Sequence, residues 1–218
     1  MNVKAMVACV LFGSLAALPG SAPATPPASG GVPALGKRVD ELISRLVVCP
    51  PTHRRFVDNG DGTICDSRTG LMWEKKNAAD GVQDLTNPND VDNRYTWTDP
   101  DDGDFSDPDG TLFTDFIAKL NGEVAHFVES EQLGGYRDWR VPTLAELQTL
   151  HPAVCRGSPC LVNPIFQPTA PFLYWSRTSL PADFIGPVFA WGVFFNTDGA
   201  IDVDKTLALH ARAVRGGR

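Results

Sequence analysis

Apolar and polar positions follow three different patterns along this chain. Residues 5–18, AMVACVLFGSLAAL, are almost uniformly apolar. Residues 37–48, KRVDELISRLVV, set Val39, Leu42, Ile43, Leu46 and Val47 at the spacing of one helical face. Further on, short runs rich in aromatic and β-branched residues are bounded by Gly, Asp and Asn, which predicts antiparallel strands. RFVD, TICD and LMWE read as three strands joined by DNGDG and SRTG, and FLYWSRTS, VFAWGVFFN, AIDVD and LALHARAVRG read as a meander. Two helical patterns interrupt the strands. TLFTDFIAKLNGEVAHF places Phe113, Phe116, Ile117 and Leu120 on one side. VPTLAELQTL carries a capping box, with Thr143 able to cap and Glu146 able to reach back, and turns Leu144, Leu147 and Leu150 to a core.

DNGDG poses a choice, because carboxylates and glycines at this spacing suit a calcium loop as well as a turn. A helix–loop–helix calcium site alternates ligands at its first, third and fifth positions and closes with a downstream Glu. Here the third position is Gly60 and no such Glu follows at the required distance. Asn-Gly and Asp-Gly are instead strong signals for a hairpin turn of the primed type, which needs positive φ. The hairpin reading is adopted.

The first apolar run, preceded by Lys4 and followed by Ala22 and Ala24 in an A-x-A pattern, predicts a signal peptide over residues 1–24. It is too short for a membrane span, and no other stretch approaches the roughly 20 apolar residues a span requires. Cys9 lies near the start of the run, not after it, and so is read as part of the signal and not as a lipid anchor. Residues 25–36, TPPASGGVPALG, form a tether without core-forming residues. Residues 37–48 form a short amphipathic helix. Val39, Leu42 and Leu46 also fit a coiled-coil seam that would make a homo-oligomer, but under two heptads favours a helix packed on its own domain. Residues 49–218 are read as one domain. The expected address is the periplasm, the cell surface or the exterior.

Composition narrows the partners. Loss of the signal leaves 18 basic against 26 acidic side chains, a balance of −8. That argues against nucleic acid or another polyanion, whose binding face needs clustered Lys and Arg. Cys49, Cys65, Cys155 and Cys160 remain, an even number that in an exported chain favours disulfides. Three pairings are available. The turn residues of CRGSPC favour Cys155–Cys160, which leaves Cys49–Cys65 to tie the entry segment to the first hairpin. Zinc would need two ligand pairs at close spacing, and there are none.

The blocks RFVDNGDGTICDSRTGLMWEK, GGYRDWRVPTLAELQTL, YWSRTS, FAWGVFFNTDG and RAVRGG, in this order and spacing, resemble the bacterial Lcl C-terminal domain family, named for the terminal domain of a collagen-like adhesin. The resemblance runs from about residue 55 to residue 217. It implies an α+β, C-type lectin-like fold with two helices, a twisted antiparallel sheet and long loops. It also implies an envelope or secreted module that binds ligands, glycans among them, and often forms trimers. Two departures stand out. Members often bridge the first helix to the final strand by cysteines, and those places here hold Ala118 and Ala213. The adhesin's preference for sulfated glycosaminoglycans also transfers poorly to a chain of charge −8.

Candidate chemistry gathers between the first hairpin and the first helix, where residues 80–110 hold ten aspartates and one arginine. Asp99, Asp101, Asp102, Asp104, Asp107 and Asp109 are the candidate ligands for Ca²⁺, which takes six to eight oxygens. A solvated acidic loop is the alternative, and both stand open. The calcium tripeptides of sugar-binding lectins are missing, the nearest being Gln167-Pro168-Thr169. On the lectin-like reading the ligand face is residues 151–187, without individual residues assigned. Trp139, Trp73, Trp175 and Trp191 are expected in the core, and Arg140 is expected to pair with a carboxylate beneath the second helix. An enzyme is the competing class. The lectin-like fold also hosts formylglycine-generating oxidases, but Cys155 and Cys160 share one short loop suited to a structural bridge. His53, His126, His151 and His210 lie far apart without a nucleophile motif. The expectation is therefore a non-catalytic binding module for a glycan or an envelope component, with a purely structural envelope protein as the first alternative and an enzyme, such as a paired-carboxylate hydrolase, as the second.

Overall fold

The computed structural model describes residues 49, 52–101, 103, 105–124, 132–181, 188–197 and 199–217, all within the compact unit Leu42–Arg218. The predicted signal peptide, tether and amphipathic helix (1–48) lie outside the described residues, as does His126. Among the described residues, nine strands form three antiparallel sheets, accompanied by two short helices and by single 3-10 turns at Leu133–Gly135 and Pro164–Phe166. The first sheet has the order β1 (Phe56–Asp58), β2 (Thr63–Asp66), β3 (Leu71–Glu74), β9 (Val214–Gly216). β4 (Tyr95–Thr96) pairs with β8 (Ala208–Leu209), and β5 (Leu173–Ser179), β6 (Phe189–Phe194) and β7 (Ala200–Asp204) make the third sheet. No helix among the described residues is long and apolar enough to cross a membrane.

Alternation along the strands builds a core in two layers. Ile64 and Trp73 are cross-strand partners and belong to one apolar cluster, whereas Cys65 and Met72, the next pair, belong to another. β5 divides in the same way, Tyr174 on one side and Trp175 on the other. Successive side chains point to opposite faces of a strand, so β2, β3 and β5 carry apolar layers on both faces. Two indoles then tie β5 to β4 and to the residue that follows it. Trp175 Nε1 donates to the Tyr95 carbonyl (2.8 Å) and Trp97 Nε1 to the Ser176 carbonyl (3.1 Å).

Charges inside this core are paired. Glu74 accepts the Ala213 amide (2.9 Å) and sits 2.8 Å from Lys76, whose ammonium also donates to the Pro88 carbonyl. Arg212 donates to the carbonyls of Glu74, Phe166 and Pro168 and to the Thr169 hydroxyl. Burial pushes both cations below their ordinary pKa. Their partners are mostly main-chain carbonyls, and a buried polar group so satisfied is a structural fastener.

Several expectations need correction. The DNGDG connection is a four-residue loop: Gly60 and Gly62 have positive φ, but Asn59 and Asp61 do not, so it is not a two-residue primed turn. Asp58 and Asp61 instead accept the amides of Gly60 and Thr63. The first helix, α1 (residues 112–120), is π-wound over Leu112–Ile117 and α-helical only over Ala118–Leu120. It stops at Asn121-Gly122 because Asn121 exchanges side-chain hydrogen bonds with the backbone of Trp139 (2.8 and 3.0 Å) and Gly122 has φ 69°. Residues 125–127 of the predicted helix lie outside the described residues. α2 (Leu144–Gln148) has its capping box. The last segment does not complete a four-stranded meander: its start pairs with β4 and its end with β3. Trp139, Trp73 and Trp175 are buried, but Trp191 is only half-buried and outside the core.

Candidate functional site

Both predicted disulfides are present, Cys49–Cys65 and Cys155–Cys160, each with a Cα–Cα separation of 5.3 Å. Ala118 and Ala213 are both buried, Ala213 within the first apolar layer.

The aspartates do not gather on one point in the part that is described. Asp109 turns inward, accepting the Thr98 hydroxyl (3.1 Å) and the Asp99 amide (2.8 Å). Asp99 caps the amide of Asp101 (2.9 Å). Asp101 and Asp107 are exposed, and Asp102 and Asp104 lie outside the described residues. Among the described residues no group of three His, Cys, Asp or Glu side chains is placed to hold a metal ion.

What the aspartate segment does is close a cleft. Its C-terminal end is tied down by the buried Lys205, which donates to the Ser106 carbonyl (3.1 Å) with its ammonium 3.9 Å from the centre of the Trp97 ring. Gly110 then passes against the segment after β4. A Cβ there would come within 2.5 Å of the Thr96 carbonyl oxygen and 2.7 Å of Thr98 backbone atoms, so only glycine fits. The result is a cleft of about 290 Å³ lined by Trp97, Pro108, Phe113, Ile117, Arg140, Val141 and Arg177. Each wall has a local cause. The π-wound turn of α1 buries Leu112 and Phe116 and leaves Phe113 and Ile117 only partly covered. Phe113 meets Trp97 edge-on at 5.1 Å. Arg140 and Val141 come from the segment that hydrogen-bonds β9, and Arg177 comes from β5, its amide donating to the Pro142 carbonyl (2.8 Å).

The two arginines differ in what they can offer. Arg140 is committed: both its terminal nitrogens reach Glu146 (2.8 and 2.6 Å), and one also donates to the Gly216 carbonyl (2.9 Å). The Glu146 carboxylate raises the Arg140 pKa. Burial works to raise the Glu146 pKa, but the bonds from Arg140 and from the Thr143 amide outweigh it and hold the carboxyl below its usual range. Arg177 is exposed, and among the described residues no carboxylate or carbonyl takes its guanidinium. The cleft thus joins an apolar floor to one uncommitted cation. Of the span 151–187, expected as the ligand face, Arg177 lines this cleft; Trp97, Pro108, Phe113, Ile117, Arg140 and Val141 lie outside that span. Trp97, Pro108, Phe113 and Ile117 come together only because the segment between β4 and α1 folds back, a long-range event that no local periodicity records. The Cys155–Cys160 loop does not line the cleft.

Residues 62–215 match the profile of one protein family, described as the Lcl C-terminal domain. A comparison with curated proteins returns no match. The matched span begins in the first hairpin, ends within β9 and takes in every residue that lines the cleft. The chain belongs to the Lcl C-terminal domain family.

Proposed function

We propose that this protein is an exported, non-catalytic binding module that presents the Trp97–Arg177 cleft to a glycan or another envelope component. The observation that carries the reading is the unengaged Arg177 guanidinium beside an apolar floor. Such a cleft suits a saccharide with one acidic group, its C–H face on Phe113 and its acid on Arg177, because a guanidinium binds a carboxylate or sulfate through two parallel hydrogen bonds. A run of sulfates does not suit it, since one free cation cannot neutralise many anions. Antiparallel sheets, few helices and long loops support the C-type lectin-like reading of the fold. The two disulfides and the lack of a spanning helix among the described residues are compatible with export.

Binding to an array of neutral and acidic glycans, with the unaltered protein beside Arg177→Ala, tests this proposal. Signal confined to acidic glycans and lost in the variant is expected. A blank array, or a pattern that Arg177→Ala leaves unchanged, rejects it. Calcium belongs to the same proposal as an accessory ligand of the aspartate segment, supported by the exposed carboxylates of Asp101 and Asp107, which have no protein partner among the described residues. Addition of Ca²⁺ should raise the melting temperature and slow proteolysis within residues 99–109. If neither changes, calcium is removed from the proposal.

A further inference from the structure

A second cavity, of about 270 Å³, is lined by Arg94, Phe172, Leu173, Phe194, Ala208, Leu209 and His210 and shares no residue with the first. It opens where the chain leaves β8 and crosses β5. His210 is locked at that crossing, its amide donating to the Leu173 carbonyl and its carbonyl accepting the Trp175 amide. His210 is 96 % buried, its ring between Tyr174 on the inside (5.4 Å) and Phe172 on the outside (5.9 Å, interplanar 16°). Its Nδ1 lies 2.9 Å from the Val91 carbonyl oxygen. A carbonyl only accepts, so Nδ1 carries the proton and Nε2 is left with a bare lone pair. That Nε2 is shut off from solvent and has no partner. A buried acceptor left unmade costs about 1–3 kcal/mol, which a donor brought by a ligand recovers.

Two further features mark this as more than a packing defect. Phe172 is 53 % exposed although it is a large apolar ring, and it is the outer cover of the imidazole. Arg94 is exposed at the cavity, and among the described residues its guanidinium has no partner. The remaining lining is apolar. A polyhydroxylated sugar would bury hydroxyls against Phe194, Leu173 and Leu209 without partners, which is costly. One acceptor, one cation and an aromatic wall call for a ligand with as few polar groups.

We infer that this cavity is a second binding site, for a small planar aromatic acid carrying one hydroxyl: the carboxylate on Arg94, the hydroxyl donating to His210 Nε2, and the ring beside Phe172, which swings outward to admit it. Burial holds His210 neutral, its pKa pushed down to about 4, so the acceptor persists at neutral pH.

The test uses the purified protein and three probes: 4-hydroxybenzoate, benzoate, which lacks the donor, and phenol, which lacks the acid. Affinities are measured by calorimetry, and the His210 ring nitrogens are followed by nitrogen-15 NMR. 4-Hydroxybenzoate should bind at least tenfold more tightly than either analogue. It and phenol should move the Nε2 resonance while benzoate does not, and Arg94→Gln should reduce 4-hydroxybenzoate to the level of phenol. Equal affinity for the three probes, an unmoved Nε2 resonance with 4-hydroxybenzoate, or undiminished binding by Arg94→Gln overturns the inference. Arg177→Ala should leave this binding intact, so failure of the first cleft and failure of this one are read separately.

Discussion

Arg140 shows how one side chain ties several elements. It holds Glu146 in the capping box of α2 and the end of β9 through Gly216, while its stem lines the cleft. Arg140→Ala should cost about 1–2 kcal/mol, because the pair is partly screened by water but the Gly216 carbonyl also loses its donor. Urea midpoints of the two proteins check this. His210 gives a pH prediction. Burial disfavours its proton most, the bond to the Val91 carbonyl favours it, and of the charges facing the ring Arg94 and Lys76 disfavour it while Asp92 favours it. The unfolded ring binds a proton near pH 6.5 and the folded ring near 4, so acid favours the unfolded chain. Stability should fall as pH drops from 6.5 towards 4, by roughly 3 kcal/mol in all. His210→Phe should flatten that stretch of the stability curve. Glu146, whose folded pKa lies below its ordinary value, adds its own loss as pH falls through that lower value.

At the level of elements, local signals were read well and long-range ones poorly. TICD and LMWE were legible as strands because turn residues bound them, and Thr143 with Glu146 announced α2 because a capping box is a contact three residues long. LALHARAVRG was not legible as two pieces, since its start and end differ only in their partners, β4 and β3, which lie over a hundred residues away. The π-wound start of α1 also left no trace in the spacing, which fits an ordinary helix. Yet that turn leaves Phe113 and Ile117 open to the cleft. Its anchor is Gly110, where an added methyl meets backbone atoms that cannot move aside. Gly110→Ala should destabilise the fold by about 1–3 kcal/mol, the usual cost of overpacking. It should also lower tryptophan fluorescence polarisation as Trp97 loosens, and a variant with unchanged midpoint and polarisation would contradict this view of the cleft wall.

Across the whole molecule, paired charges and bridges fix a scaffold, and unengaged groups are left where cavities open. Glu74, Lys76, Asp66 and Arg212 are buried and partnered, whereas Arg177 and Arg94 are cations without partners among the described residues. That contrast is the physical basis for reading the protein as a receiver of acidic ligands even though its net charge is negative. It is also what the proposal of a binding, non-catalytic role rests on. Among the described residues the charged groups lining the first cleft are two guanidiniums, which hold anions but do not exchange protons near neutral pH. The most direct measurement is calorimetric titration with a disaccharide ending in glucuronate and its glucose-ended counterpart, followed by mass spectrometry of the recovered sugar. The account predicts binding of the acidic sugar alone, at least a tenfold loss in Arg177→Ala, and recovery of the sugar unaltered. Equal binding of both sugars, binding untouched by Arg177→Ala, or a sugar returned cleaved or modified would contradict it.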